Sequence, residues 1–370
     1  MTNLLTEIPD VLLMGPGPST IHPEVYKALA TSTLGHMDSD FIAIMDEIKR
    51  LLQIAFRTKN DVTVAMSGTG SAGMETVFVN LVEEGDRVLI LENGVFGKRM
   101  ADVAGRLGAE VEVLSAEWGT PVVTSAVKEK LAAGSYSIVA CVHAETSTGV
   151  RNPAEDIGPL VKEAGALFIL DTVTSLGGIP VEVDAWGVDA CYSGTQKCLS
   201  VPPGLAPVTL SPAAMEKLQK RRTKVPNWYL DLSMITRYWE GAKRSYHHTA
   251  PINMLYALYR SLLLLEEEGQ ENAFARHRQC HELLADGLSA LELRLLVDQP
   301  YRLPMLNAIV VPEGVDEAGV RQKLRREHNI EIGAGLGPLA GQIWRVGVMG
   351  YTAQPKHIER FLIALGDILS

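Results

Sequence analysis

Basic charge is scarce in this sequence: 34 lysines and arginines stand against 44 aspartates and glutamates, for a net charge of −10. That balance speaks against nucleic acid and anionic membrane surfaces as partners, so any anion site has to be a local feature. Cysteine is scarce too. The four, Cys141, Cys191, Cys198 and Cys280, are widely spread, with no C-x-x-C pair and no zinc spacing. Neither a disulfide framework nor a metal site is expected, and a reduced, cytoplasmic setting fits. Long apolar runs are missing: Leu262 to Leu265 gives way at once to Glu266, Glu267 and Glu268, far short of a membrane span. The start shows no basic segment followed by an apolar core, so no export signal is read there. Short-period repeats and low-complexity tracts are absent as well.

What is present is core. Hydrophobic residues make up 46% of the 370 positions, enough for more than one apolar centre, so two domains are expected. Residues 1–20 lack a period and carry the rigid turn Gly15-Pro16-Gly17-Pro18; they read as an arm able to pack on another subunit. From Ser39 the set Phe41, Met45, Ile48 and Leu52 keeps helical spacing behind an Asp38 or Ser39 cap. Strands and helices then alternate, with strands near residues 62–66, 87–91, 110–114, 138–143, 166–170 and 188–192. That order predicts an α/β domain over residues 21–268, with a mostly parallel sheet covered on both faces. The aromatic, basic stretch Lys217 to Tyr246 reads as irregular. A smaller α+β domain is expected over 269–370, with strands at 308–311 and 343–348.

Chemistry gathers at strand ends. The run Ala166-Leu167-Phe168-Ile169-Leu170 ends in Asp171, and Val188 to Tyr192 leads through Ser193-Gly194-Thr195-Gln196 to Lys197, ahead of Pro202-Pro203-Gly204. In a parallel sheet that edge is where ligands bind. An amine and a carboxylate so placed suit pyridoxal 5′-phosphate, which needs one for its aldehyde and the other for its ring nitrogen. A solvated lysine beside a turn-capping aspartate is the plainer reading of the same two residues.

Ser67-Gly68-Thr69-Gly70-Ser71-Ala72-Gly73 follows a strand and opens a helix, so its N–H groups and hydroxyls can cradle a phosphate. Gly68, Gly70 and Gly73 also satisfy G-x-G-x-x-G, and Glu92 ends the next strand, which is the fingerprint of an NAD-dependent dehydrogenase. Against that, a long helical stretch precedes this strand, whereas the fingerprint opens its own βαβ unit. His143-Ala144-Glu145-Thr146-Ser147-Thr148-Gly149 ends another strand, and Phe96, past Glu92, can stack on a flat ring. Tyr246-His247-His248-Thr249 is not a metal site, because adjacent histidines do not converge on one ion. Arg345, between Trp344 and Val346, is a planar fork suited to a carboxylate.

Taken with Met45-Asp46-Glu47-Ile48, Asp171-Thr172-Val173-Thr174-Ser175-Leu176-Gly177-Gly178 and Gly335-Leu336-Gly337-Pro338, these segments resemble the class V, fold type I pyridoxal-phosphate aminotransferases. Within them the alanine:glyoxylate and serine:pyruvate family is the most similar. The resemblance spans nearly the whole chain and implies a homodimer with shared active sites and a large domain built on a seven-stranded sheet. It implies that Lys197 and Asp171 are catalytic, and that Val173 and Phe96 cover the two faces of the cofactor ring. Ser67, Gly68, Thr69 and Gln196 would hold its phosphate, with Tyr246 and Thr249 reaching in from the partner. Thr146 would lie by the ring oxygen, and Gly17, Thr146 and Arg345 would meet the substrate. The implied reaction is ping-pong transfer of the amino group of alanine or serine to glyoxylate or pyruvate. Serine:glyoxylate, ureidoglycine:glyoxylate and phosphonate aminotransferases are alternatives. A pyridoxamine:pyruvate type fits less well, because Gly68 and Leu336 stand where it is expected to carry a carboxylate and an arginine.

Overall fold

Seven strands, six of them largely buried and the edge strand Glu110–Ser115 not, pair into one sheet in the computed structural model, which describes residues 3–241 and 244–370. They are β1 (Val62–Ser67), β2 (Arg87–Glu92), β3 (Glu110–Ser115), β4 (Ile138–Val142), β5 (Leu167–Asp171), β6 (Ala190–Tyr192) and β7 (Leu205–Leu210). Their spatial order is β1-β7-β6-β5-β4-β2-β3. Only β7 runs against its neighbours; the other six leave their C-terminal ends on one edge. Ile138, Val139, Ala140 and Cys141 of β4 are wholly buried, as expected of a strand covered on both faces.

Among the elements not foreseen, two bear on the sheet and its cover. Strand β7 contains Pro207, which argues against an interior strand. Its carbonyl accepts from Ser193 N–H at 2.8 Å. The helix Leu232–Trp239 lies in the stretch expected to be irregular. Asp231 caps it, and Ile235, Tyr238 and Trp239 go into the core. The helix Ser39–Phe56 forms as expected, with Asp38 accepting from Asp40 N–H at 2.9 Å.

The dehydrogenase reading fails on topology. A dinucleotide unit needs its second strand parallel and beside the first, but four strands stand between β1 and β2, and β1 borders the antiparallel β7. Gly73 serves packing instead: a Cβ there would lie 2.9 Å from that of Ala206.

A second apolar cluster surrounds β8 (Leu306–Val310), β9 (Gly333–Ala334) and β10 (Ile343–Gly347), with β10 central and antiparallel to both. Trp344 and Val346 meet Cys280, Leu284, Leu324 and Phe361 there. The N-terminal segment is bound into this cluster of its own chain from Leu12 onward. Leu12–Leu13 pairs parallel with Ile330–Glu331, and Met14 is buried in the cluster. Leu4, Leu5 and Ile8 remain exposed.

Candidate active site

The turn after β6 carries Lys197 and is closed by bonds within itself: Ser200 N–H donates to Lys197 O at 3.0 Å and Thr195 Oγ1 to Pro202 O at 2.9 Å. The N-terminal segment braces it. Ser19 N–H donates to Gln196 O at 2.9 Å and Ser19 Oγ to Lys197 O at 2.7 Å. Lys197 is only 8% exposed, and its Nζ donates to Pro16 O. Gly17, at φ +113°, passes so close that a Cβ would stand 2.5 Å from that nitrogen. Only glycine combines this backbone with that approach. Burial, aided by the charge of Arg345, lowers the Lys197 ammonium to a pKa of about 8.

Asp171 ends β5 beside it. Its Oδ1 accepts from Val173 N–H at 2.8 Å, and burial raises its pKa to about 7. Both groups border a cavity of about 170 Å³ that Phe96 and Val173 also line. The Arg99 guanidinium lies 5.0 Å from the centroid of the Phe96 ring. Gln196 Oε1 is buried and finds no protein partner among the described residues, while the Tyr192 hydroxyl lies beside the Asp171 carboxyl; both residues line the cavity. Buried polar atoms are seldom left without a partner.

One end of the cavity is the start of the helix Gly70–Leu81. Some helices begin on capping side chains, as at Asp38, Ser211, Asp231 and Asp316, and others, such as Thr124–Ala133 and Ile252–Glu268, do not. Here the Thr69 cap makes no side-chain bond and the first turn holds no acid. The leading N–H groups and the positive end of the helix dipole are thus free for an anion. The helix Val95–Arg106 also lacks a cap of its own at Gly94, but it borrows one. Glu145 accepts from Phe96 N–H at 3.1 Å and from Ser147 Oγ, which in turn accepts from Val95 N–H at 3.0 Å. A Cβ on Gly94 would collide with Glu145 at 2.4 Å. Glu145 therefore sets where Phe96 stands, and burial raises its pKa.

Arg345 reaches the site from β10 and is almost fully buried. Its Nε donates to Ala334 O at 2.7 Å and its Nη1 to Thr146 O at 3.1 Å, bonds that orient the fork. Desolvation lowers its pKa to about 10.

The structure thus brings Lys197, Asp171, Phe96, Val173, Thr146 and Gln196 around one cavity, with Gly17 against Lys197 and Arg345 against Thr146. Five residues expected at the phosphate do not line this cavity: Ser67, Gly68 and Thr69, and Tyr246 and Thr249, the last two expected at the partner subunit's site rather than their own. Ser67 turns its hydroxyl to His248 Nε2 at 2.8 Å, and Gly68 N–H is taken by Gly204 O at 2.9 Å. Tyr246 is 59% exposed and, with its neighbour Thr249 3.4 Å away, does not line the cavity of its own chain. Gly70 and Ser71 line it where Ser67 and Gly68 were expected. The reason is helical: beyond the Thr69 cap, the first two residues of the helix carry the outward N–H groups. Arg99, Tyr192 and Glu145 were not foreseen either. Only Glu145 left a signal, a carboxylate amid hydroxyls at a strand end.

A sheet with this order and an amine, a carboxylate and a helix start on one edge define a transaminase-type site. The class V aminotransferase family model matches residues 22–349, and the chain belongs to that family. Within it, the chain is 39% identical to the alanine–glyoxylate aminotransferase of Callithrix jacchus over 98% of its length and 88% of that protein. The crystal structure of an alanine–glyoxylate aminotransferase from Nostoc sp. superposes with a TM-score of 0.97 at 48% identity, covering 98% of this chain and 96% of that one. The ureidoglycine–glyoxylate aminotransferase of Bacillus subtilis gives 0.96 at 39% identity, covering 98% and 93%.

Proposed function

We propose that this protein is a pyridoxal 5′-phosphate-dependent transaminase that moves the amino group of a small amino acid, alanine or serine, to glyoxylate or pyruvate in ping-pong order. The observation that carries the reading is a buried amine and a buried carboxylate on one cavity, with the fork of Arg345 beside it. Class V aminotransferases depend in general on this cofactor, and the residues present fit it. Gly70 and Ser71, at the uncapped helix start, and Gln196 would hold the phosphate. Phe96 and Val173 would fix the ring plane, and Asp171 would keep the ring nitrogen protonated. Gln196 Oε1 has unmet bonding capacity where a polar group of a ligand would lie. When bound, the cofactor supplies an aldehyde for the amine and a sink for the electron pair left by the departing substrate proton. Lys197 Nζ, close to neutrality in its pKa, would carry that proton as base and then acid.

A panel of amino donors against glyoxylate and pyruvate, including ureidoglycine and an aminophosphonate, tests the assignment. Transfer from alanine or serine to glyoxylate is expected, and its absence with every pair would overturn the reading. For Arg345→Lys the charge stays but the paired N–H geometry goes, so kcat/KM should fall roughly 10- to 150-fold. Cofactor absorbance should not change. Equal activity toward an amino acid and the matching simple amine would remove Arg345 from the carboxylate.

A homodimer with shared sites is part of the proposal, supported by exposed Leu4, Leu5, Ile8 and Tyr246. Lys197→Ala subunits mixed with Tyr246→Phe, Thr249→Ala subunits should then regain activity after exchange, because one site per mixed dimer has neither defect. No regain would argue for self-sufficient subunits. The setting proposed is cytoplasmic, in keeping with four free, buried cysteines; no helix among the described residues is long and apolar enough to cross a membrane.

A further inference from the structure

His247 and His248, between Tyr246 and Thr249, have no part in the chemistry above, yet they form a directed chain. Ser67 Oγ lies 2.8 Å from His248 Nε2, His248 Nδ1 lies 2.8 Å from His247 Nδ1, and His247 Nε2 lies 3.3 Å from the carbonyl of Trp228. A carbonyl only accepts, so His247 Nε2 carries a hydrogen. In the uncharged ring Nδ1 is then bare and must accept from His248 Nδ1–H. That leaves His248 Nε2 bare, and Ser67 must donate its hydroxyl hydrogen to it. One backbone carbonyl thus sets both tautomers and the direction of the Ser67 bond. The rings are held for this: Trp228 stacks on His247 at 4.4 Å and 15°, and Tyr229 and Tyr238 flank His248 at 5.1 and 6.0 Å. Burial keeps His248 neutral, lowering its pKa to about 4.

What the chain joins is the point of interest. Ser67 is the last residue of β1, two positions before the cap of the helix whose first N–H groups line the cavity. Gly68 between them is pinned through its own N–H to Gly204 O. We propose that Ser67, His248 and His247 form a one-way hydrogen-bond relay that ties the segment from Trp228 to Thr249 to the phosphate end of the site. His248 is thereby a positioning residue for the cofactor phosphate. The proposal rests on the transaminase reading.

The relay acts on the phosphate end alone, so two related probes separate it from general damage: pyridoxal 5′-phosphate, and pyridoxal, which lacks the phosphate. With apoprotein, His248→Phe keeps the ring packing but removes both nitrogens. Its affinity for pyridoxal 5′-phosphate should fall roughly three- to ten-fold, the size expected for one neutral hydrogen bond. Its affinity for pyridoxal should stay at the wild-type value. Ser67→Ala should show the same selective loss, and the double variant should be no worse than either single one, because all three break the Ser67–His248 bond through which the relay reaches the site. Ser67→Ala keeps the test open should His248→Phe not fold. Unchanged affinities, additive losses or equal losses for both probes would overturn the relay while leaving the transaminase reading intact. Failure of the wild type to take up pyridoxal 5′-phosphate would overturn both.

Discussion

Lys197→Ala is expected to fold, to keep some affinity for pyridoxal 5′-phosphate and to lose turnover by at least ~10³-fold. The substitution removes the proposed nucleophile and proton carrier together, and general acid–base catalysis by itself contributes about 10²- to 10⁴-fold. The helix start at Gly70 and the ring walls Phe96 and Val173 do not depend on Nζ, so loss of activity should be accompanied by an unchanged unfolding temperature. Steady-state turnover near the wild-type value would remove Lys197 from the chemistry. The position of its pKa adds a second reading from the unaltered protein. At about 8, the amine is mostly protonated at pH 7, and only the neutral form attacks an aldehyde. The rate at which apoprotein takes up the cofactor should therefore rise with pH up to about 8 and level off above it. A flat profile between pH 6 and 9 would show that burial and Arg345 do not set this nitrogen's charge.

Asp171→Asn is expected to slow the proton-transfer steps roughly 10²- to 10³-fold, the order of effect seen when one partner of a buried ion pair is removed. The amide keeps the shape and can still accept from Val173 N–H, but it cannot balance a positive ring nitrogen. Left without a counter-charge, the Asp171 carboxyl is held near a pKa of 7 by its burial. A protonated pyridine ring, as proposed for the cofactor, would bring it back to the ionised form. Single-turnover rates with alanine provide the check, together with the absorbance of the bound cofactor. An unaltered rate in Asp171→Asn would mean that this carboxylate does not govern the ring's electronics.

The meeting of Asp171 and Lys197 on one edge was legible because each signal was local. A lone charge closing an apolar strand, as in Leu167 to Asp171, has few places to go in an α/β sheet other than the ligand-binding edge. A lysine after a strand and before Pro202-Pro203 is bound to a turn for the same reason. The alternation of strands and helices and the Asp38 cap were legible on the same terms, since period and capping act within a few residues. The phosphate end was only half legible: the segment Ser67 to Gly73 was evident, but not that its first hydroxyl faces away.

Composition and pattern by themselves thus determined an α/β sheet with Asp171 and Lys197 on one edge and a loop before the helix at Gly70. Tertiary structure decided which atoms meet there. The Pro16 carbonyl that receives Lys197 and the His248 ring that receives Ser67 each lie 181 positions along the chain from their partners, and Arg345 is 199 from Thr146. No local period encodes such pairings. They exist because the second apolar cluster draws in Leu12 and Met14, and because the sheet order carries β1 to the far side from β2, fixing distances that backbone propensity leaves open.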